Sequence, residues 1–138
     1  MDRKEFLTTV GIGAVAAICT SCFAGCNPLD PMTNSPTNVD FTLNLADPTN
    51  SALNTNGGFI YKDNIIVARI SNGSYIAVSS ICTHQGNTIA YDVTANRFHC
   101  PAHGSNFATD GSVINGPASS SLTTYKTSLN ATSLRVFS

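Results

Sequence analysis

From Phe41 onward the chain alternates with a period of two. Phe41, Leu43 and Leu45 are separated by Thr42 and Asn44, the pattern of a strand with one face buried and one in water. Gly58 to Lys62, Ile65 to Ile70 and Tyr75 to Ser79 read as further strands, with Asp63-Asn64 and Asn72-Gly73 at the turns between them. Asn-Gly tolerates the left-handed backbone of tight hairpins. Thr88 to Tyr91 and Arg97 to His99 can pair around Asp92 to Asn96, while Leu122 to Tyr125 and Ser133 to Phe137 read as closing strands. Ala46 to Asn56 reads as a polar loop with one proline. No segment beyond the N-terminus carries the 3.6-residue period of an amphipathic helix. The pattern predicts an all-β domain, a small antiparallel β-sandwich, over residues 39–138.

The N-terminus follows another rule. Asp2-Arg3-Lys4-Glu5-Phe6-Leu7 precedes the apolar, small-residue run Val10 to Ile18, and Cys19-Thr20-Ser21-Cys22-Phe23-Ala24-Gly25-Cys26 follows. A charged start, an apolar middle and small residues before a cysteine predict an export signal over residues 1–25. Ala24-Gly25-Cys26 resembles a bacterial lipobox, with Phe23 where an aliphatic residue is usual, which implies lipidation at Cys26. Arg3-Lys4-x-Phe6-Leu7 resembles the twin-arginine export motif, with Lys for the second Arg. The alternative is an uncleaved anchor, since the 18 residues from Leu7 to Ala24 carry no charge. Either way the globular part lies beyond a membrane, on the periplasmic or outer side of a bacterial cell. Residues 26–38 then comprise the lipidated cysteine and a flexible tether containing Pro28, Pro31 and Pro36. Such a stretch spans on the order of 20 Å.

Composition narrows the function. Only 11% of the 138 residues are charged and the formal net charge is −1, so no basic field invites nucleic acid. No acid, base or nucleophile stands in a pattern that resembles a substrate pocket, so the chain is not read as an enzyme by itself. Cleavage before Cys26 removes Cys19 and Cys22 and leaves Cys82 and Cys100 as the unmodified thiols.

Those two cysteines stand in short boxes, Cys82-Thr83-His84 and Cys100-Pro101-Ala102-His103, separated by residues 85–99. Two soft sulfurs and two imidazole nitrogens can hold a metal centre between adjacent loops, and a Cys₂His₂ set also suits tetrahedral zinc. The run C-x-H…C-x-x-H, continued as His103-Gly104-Ser105-Asn106-Phe107, resembles the Rieske iron–sulfur family. The resemblance covers about residues 58–137 and implies a β-sandwich with a small cluster-binding subdomain. It implies a [2Fe–2S] cluster with cysteines on one iron and histidines on the other. Carried onto this chain, Cys82 and Cys100 hold the inner iron and His84 and His103 the outer one.

The resemblance also assigns supporting residues. Ser105 matches a serine whose hydroxyl bonds a bridging sulfide and raises the potential. Phe107 stands where a tyrosine hydroxyl would bond a cysteine sulfur, so that contribution is lost. Quinol-oxidising members carry a further cysteine in each loop, paired as a disulfide; Asn87 and Ala102 occupy those places here. Gly116-Pro117-Ala118 resembles the loop that covers the cluster in those members. Pro101 and Gly104 complete the motif, Gly86 and Gly104 serve loop geometry, Tyr91 packs in the cluster subdomain, and strand parity points His99 away as a non-ligand. Two thiolates and two neutral imidazoles leave the oxidised site uncharged, which favours accepting an electron. The expected potential is intermediate within the family's range of about −150 to +300 mV.

The function implied is single-electron transfer by a membrane-anchored carrier or a subunit of a redox complex. Its partners would be a redox donor and acceptor, cytochrome-like or quinol-oxidising. Two alternatives stand beside it: the small Rieske subunit of a molybdenum oxidase, as arsenite oxidase has, and a non-redox module holding zinc.

Overall fold

The computed structural model describes residues 35–138. The expected export signal at 1–25, the lipidation site Cys26 and the tether as far as residue 34 lie outside the described residues. The elements are β1 (Asp40–Asn44), a 3₁₀ helix (Pro48–Asn54), β2 (Phe59–Lys62), β3 (Ile65–Arg69), β4 (Tyr75–Ser79), β5 (Ala90–Asp92), β6 (Arg97–His99), β7 (Asn106–Phe107), β8 (Val113–Asn115), β9 (Thr124–Asn130) and β10 (Ser133–Phe137). They form a six-stranded sheet in the order β1-β10-β9-β4-β3-β2 and a four-stranded sheet in the order β5-β6-β7-β8. Every pairing is antiparallel. The larger sheet is the base and the smaller one the cluster subdomain.

The apolar run Ile65-Ile66-Val67-Ala68 explains how the two parts join. All four side chains are buried, because successive residues of a strand point to opposite faces and both faces of β3 are covered. Ile65 and Val67 pack with Leu43, Ala77, Leu134 and Val136, so β1 and β10 fold over β3 and β4. Ile66 and Ala68 pack instead with Ile89, Tyr91, Phe98 and Phe107 of the cluster subdomain, and with both cysteines. One strand thus belongs to two cores. Tyr61 adds a polar tie, its hydroxyl donating to the Ile89 carbonyl at 2.8 Å.

Most expected strands are present, and the differences have physical causes. Ala46 to Asn56 is not a plain loop. The Asp47 side chain accepts from the Thr49 amide and hydroxyl, and Pro48 opens the 3₁₀ turn that follows. Only Leu53 of that helix is buried, too little to produce a period. The strand expected at Leu122 to Tyr125 begins at Thr124 and runs on to Asn130. Leu122 itself sits in the preceding loop, its amide bonded to the Gly111 carbonyl at 2.9 Å. The two- and three-residue strands β7 and β8 leave no periodic mark in the sequence. Asp63 and Asn64 both have positive φ, as a tight hairpin turn requires, whereas the β3–β4 connection is wider, closed by Ile70 and Ser74. At the N-terminal end the Tyr125 hydroxyl donates to the Pro36 carbonyl at 2.8 Å. No helix among the described residues is long and apolar enough to cross a membrane; the uncharged run 7–24 lies outside them.

Candidate metal centre

The two boxes occupy loops of one design. In each, the cysteine amide donates to the carbonyl five residues on: Cys82 to Asn87 at 2.7 Å, Cys100 to Ser105 at 2.8 Å. The cysteine carbonyl in turn accepts the amide four residues on, from Gly86 at 2.9 Å and from Gly104 at 3.0 Å. Both glycines are left-handed, with φ of 72° and 80°, where a side chain would be strained. The β5–β6 hairpin returns the chain so that both loops end at the same tip of the subdomain.

Cys82 and Cys100 are buried and free. Burial pushes the Cys82 thiol above its ordinary value; the amides of His84 and Gln85 oppose that shift, and the neighbouring Cys100 thiol adds to it. Two adjacent buried sulfurs resist ionisation unless positive charge lies between them. The imidazoles of His84 and His103 meet edge to face with centroids 5.0 Å apart. His84 is half-buried and His103 exposed. His84 Nδ1 is buried without a hydrogen-bond partner, a costly arrangement for a polar atom unless something binds it. Among the described residues no three His, Cys, Asp or Glu side chains are grouped around one ion. Sulfurs at depth and imidazoles nearer the surface, in two pairs, fit the donor set of a two-iron cluster better than a single tetrahedral ion.

A third loop closes the site. Its Gly116-Pro117 peptide is cis, and the buried Ser105 hydroxyl accepts the Ala118 amide at 3.0 Å. Thr83 of the first box donates its hydroxyl to the Ser120 carbonyl at 2.6 Å. The third loop therefore bonds to both boxes. Pro101 and Pro117 are exposed at the tip, while Phe107 is fully buried in the core that also holds the cysteines. Tyr91 lies in the same core, its hydroxyl on Asn96 Oδ1 at 2.6 Å. His99 Nδ1 faces Asn106 Oδ1 at 2.8 Å. Sequence reasoning assigns no role to Thr83, Asn106 or Asn115, since small polar residues abound in this chain, and names Ala118 only as part of the covering loop. Segments 80–91, 98–109 and 111–125 contain no Asp, Glu, Lys or Arg, so the loops around the centre are electrically neutral.

Comparison with known proteins agrees with this geometry. Residues 46–126 match the family model of the Rieske [2Fe-2S] domain. The cytochrome b6-f complex iron-sulfur subunit of Chlorobaculum tepidum is 33% identical over 130 residues, covering 91% of this chain and 69% of that one. Among solved structures, the cyanobacterial plasma membrane Rieske protein PetC3 from Synechocystis PCC 6803 superposes with a TM-score of 0.52 at 31% identity, over 59% of this chain and 85% of that one. The ferredoxin of carbazole 1,9a-dioxygenase from Nocardioides aromaticivorans IC177 shares the fold at 20% identity and a TM-score of 0.52, over 60% of this chain and 86% of that one. The chain belongs to the Rieske family and is a [2Fe-2S] electron carrier.

Proposed function

We propose that Cys82 and Cys100 hold one iron of the cluster and His84 and His103 the other. The observation that carries this reading is the partnerless, buried Nδ1 of His84, beside two buried free cysteines and a second imidazole. When bound, the cluster takes up and gives back one electron. The chain's own residues do the rest. Cys82 and Cys100 bury the sulfur side and keep water from it. His103, exposed at the tip, presents an imidazole edge that can accept a hydrogen bond, and a proton, from a donor such as a quinol. Ser105 places a hydroxyl in the buried wall, and the Gly116–Ala118 loop shields it.

The electron donor in this reading is a quinol-oxidising complex and the acceptor a cytochrome-like protein. The b6-f name of the Chlorobaculum tepidum relative supports it. So does the neutral tip, with exposed Pro101, Ala102 and Pro117, which suits insertion into an apolar pocket better than docking on a charged surface. Residues 1–25 act as the export signal, Cys26 carries lipid, and the stretch to residue 38 tethers the 39–138 head outside the membrane. This would let the head move between donor and acceptor.

The test is iron content and the electron paramagnetic resonance spectrum of the full-length reduced protein. Two irons per chain with an anisotropic Rieske signal, lost when His84→Ala or His103→Ala is made, is the expected result. Zinc in their place, or a signal that survives both substitutions, would overturn the ligand set. Mass spectrometry of the membrane-extracted chain tests Cys26, where a mature N-terminus other than lipidated Cys26 overturns the anchor.

A further inference from the structure

Asn106 and Asn115 belong to neither box, yet their amides meet beside the second one. They face each other across β7 and β8. Asn106 Nδ2 donates to Asn115 Oδ1 at 2.7 Å and to the Gly104 carbonyl at 3.2 Å. Asn115 Nδ2 donates to the same Gly104 carbonyl at 3.0 Å and to the Gly116 carbonyl at 3.0 Å. All four amide hydrogens of the pair therefore have acceptors. His99 Nδ1, 2.8 Å from Asn106 Oδ1, selects the amide's orientation when that nitrogen carries the hydrogen. Satisfied networks of this kind rigidify what they join.

What they join is specific. Gly104 follows His103, and Gly116 opens the third loop, so the pair ties the loop bearing the exposed imidazole to the loop that covers the site. A trans peptide points its N–H opposite to its C=O, so two donors on the Gly104 carbonyl also set the direction of the Ser105 amide. Ser105 in turn takes the Ala118 amide at 3.0 Å. Cys82 and Cys100 are both free, and among the described residues no disulfide holds these loops together.

We propose that Asn106 and Asn115 form a positioning clamp, which holds the His103 loop against the Gly116–Ala118 loop and thereby retains the cluster and tunes it. The proposal rests on the ligand reading above. Four variants of the full-length chain test it: Asn115→Ala, Asn115→Asp, Asn106→Ala and the double Asn106→Ala/Asn115→Ala. Asn115→Asp keeps the shape and removes both donors, at an exposed position that folding tolerates. The readouts are bleaching of the visible absorption by an iron chelator, the paramagnetic resonance line shape and the midpoint potential. Both Asn115 variants lose the cluster at least tenfold faster, as the loss of two hydrogen bonds in Asn115→Asp and three in Asn115→Ala implies. Their resonance lines broaden, and the midpoint falls because the Ser105 hydroxyl is no longer held. The double variant is worse than either single one but by less than their sum, since the Asn106–Asn115 bond is lost in both single variants while each leaves one donor on the Gly104 carbonyl. Wild-type release, line shape and midpoint in Asn115→Asp would overturn the clamp, and so would additive effects in the double variant. Failure of the ligand reading shows separately, as an absent cluster in the unmodified protein.

Discussion

Replacing Ser105 by alanine separates two roles of one hydroxyl. Ser105 is fully buried, and its oxygen accepts the Ala118 amide at 3.0 Å. That contact uses a lone pair and leaves the hydroxyl hydrogen free to donate. The Rieske resemblance names a bridging sulfide as its acceptor. One-electron reduction adds negative charge to the cluster, so this donor stabilises the reduced state more than the oxidised one. A hydrogen bond to a charged group nets about 1.5–3 kcal/mol, and 59 mV corresponds to a tenfold change, or about 1.4 kcal/mol, for one electron. Ser105→Ala should therefore lower the midpoint, by at most about 60–130 mV, the limit reached when the oxidised cluster gains nothing from the bond. The same change orphans the amide of buried Ala118, which costs about 1–3 kcal/mol of stability. A redox titration followed by paramagnetic resonance reads the first effect, and urea denaturation of the oxidised protein reads the second. Lost stability with an unmoved midpoint would refute the reasoning, because the hydroxyl would then serve the third loop alone.

Phe107→Tyr adds a phenol within the core that holds both cysteines; the midpoint should rise if the hydroxyl donates to a sulfur, and an unchanged midpoint with reduced stability contradicts that. Phe98→Ala empties a fully buried site against Tyr91, 5.5 Å between ring centroids, and should cost about 3–5 kcal/mol by chemical denaturation; a loss below about 1 kcal/mol would show that the subdomain core does not depend on it. Acid should destabilise the domain. Hydrogen bonds from Arg135 hold the Asp40 carboxyl below its ordinary 3.8, and hydrogen bonds from Ser112 do the same for Asp110. The unfolded chain then takes up protons first as pH falls, so this stabilisation is present above the ordinary value and is lost as pH drops through the lower folded-state values. The urea midpoint should fall on acidification below about pH 4, with a shallower slope in Asp40→Asn; an equal slope would remove the Asp40–Arg135 pair as a cause.

The sequence by itself determined the two Cys/His boxes, the all-β class and most strands of the base sheet. These are local signals. A strand announces itself by alternation over five residues, as at Phe41 to Leu45, or by a continuous apolar run, as at Ile65 to Ala68. Metal-binding spacing is carried by residues two or three apart. The 3₁₀ helix escaped because one buried side chain, Leu53, makes no period, and β7 and β8 escaped because they are shorter than the pattern that would reveal them. Only the tertiary structure decided that β3 serves two cores at once, since a buried run does not say what covers each face. It also decided the polar contacts around the centre. Thr83 reaches Ser120 across 37 residues, and Asn106 meets Asn115 across nine, through side chains indistinguishable in sequence from the many exposed asparagines and threonines nearby. Their partners are fixed by where the β5–β6 hairpin and the third loop bring the backbone together. The same folding buries His84 Nδ1 and both sulfurs at one tip. Spacing lists the four Cys and His side chains, but only long-range packing can take both sulfurs and His84 Nδ1 from water while leaving the His103 ring beside them at the surface.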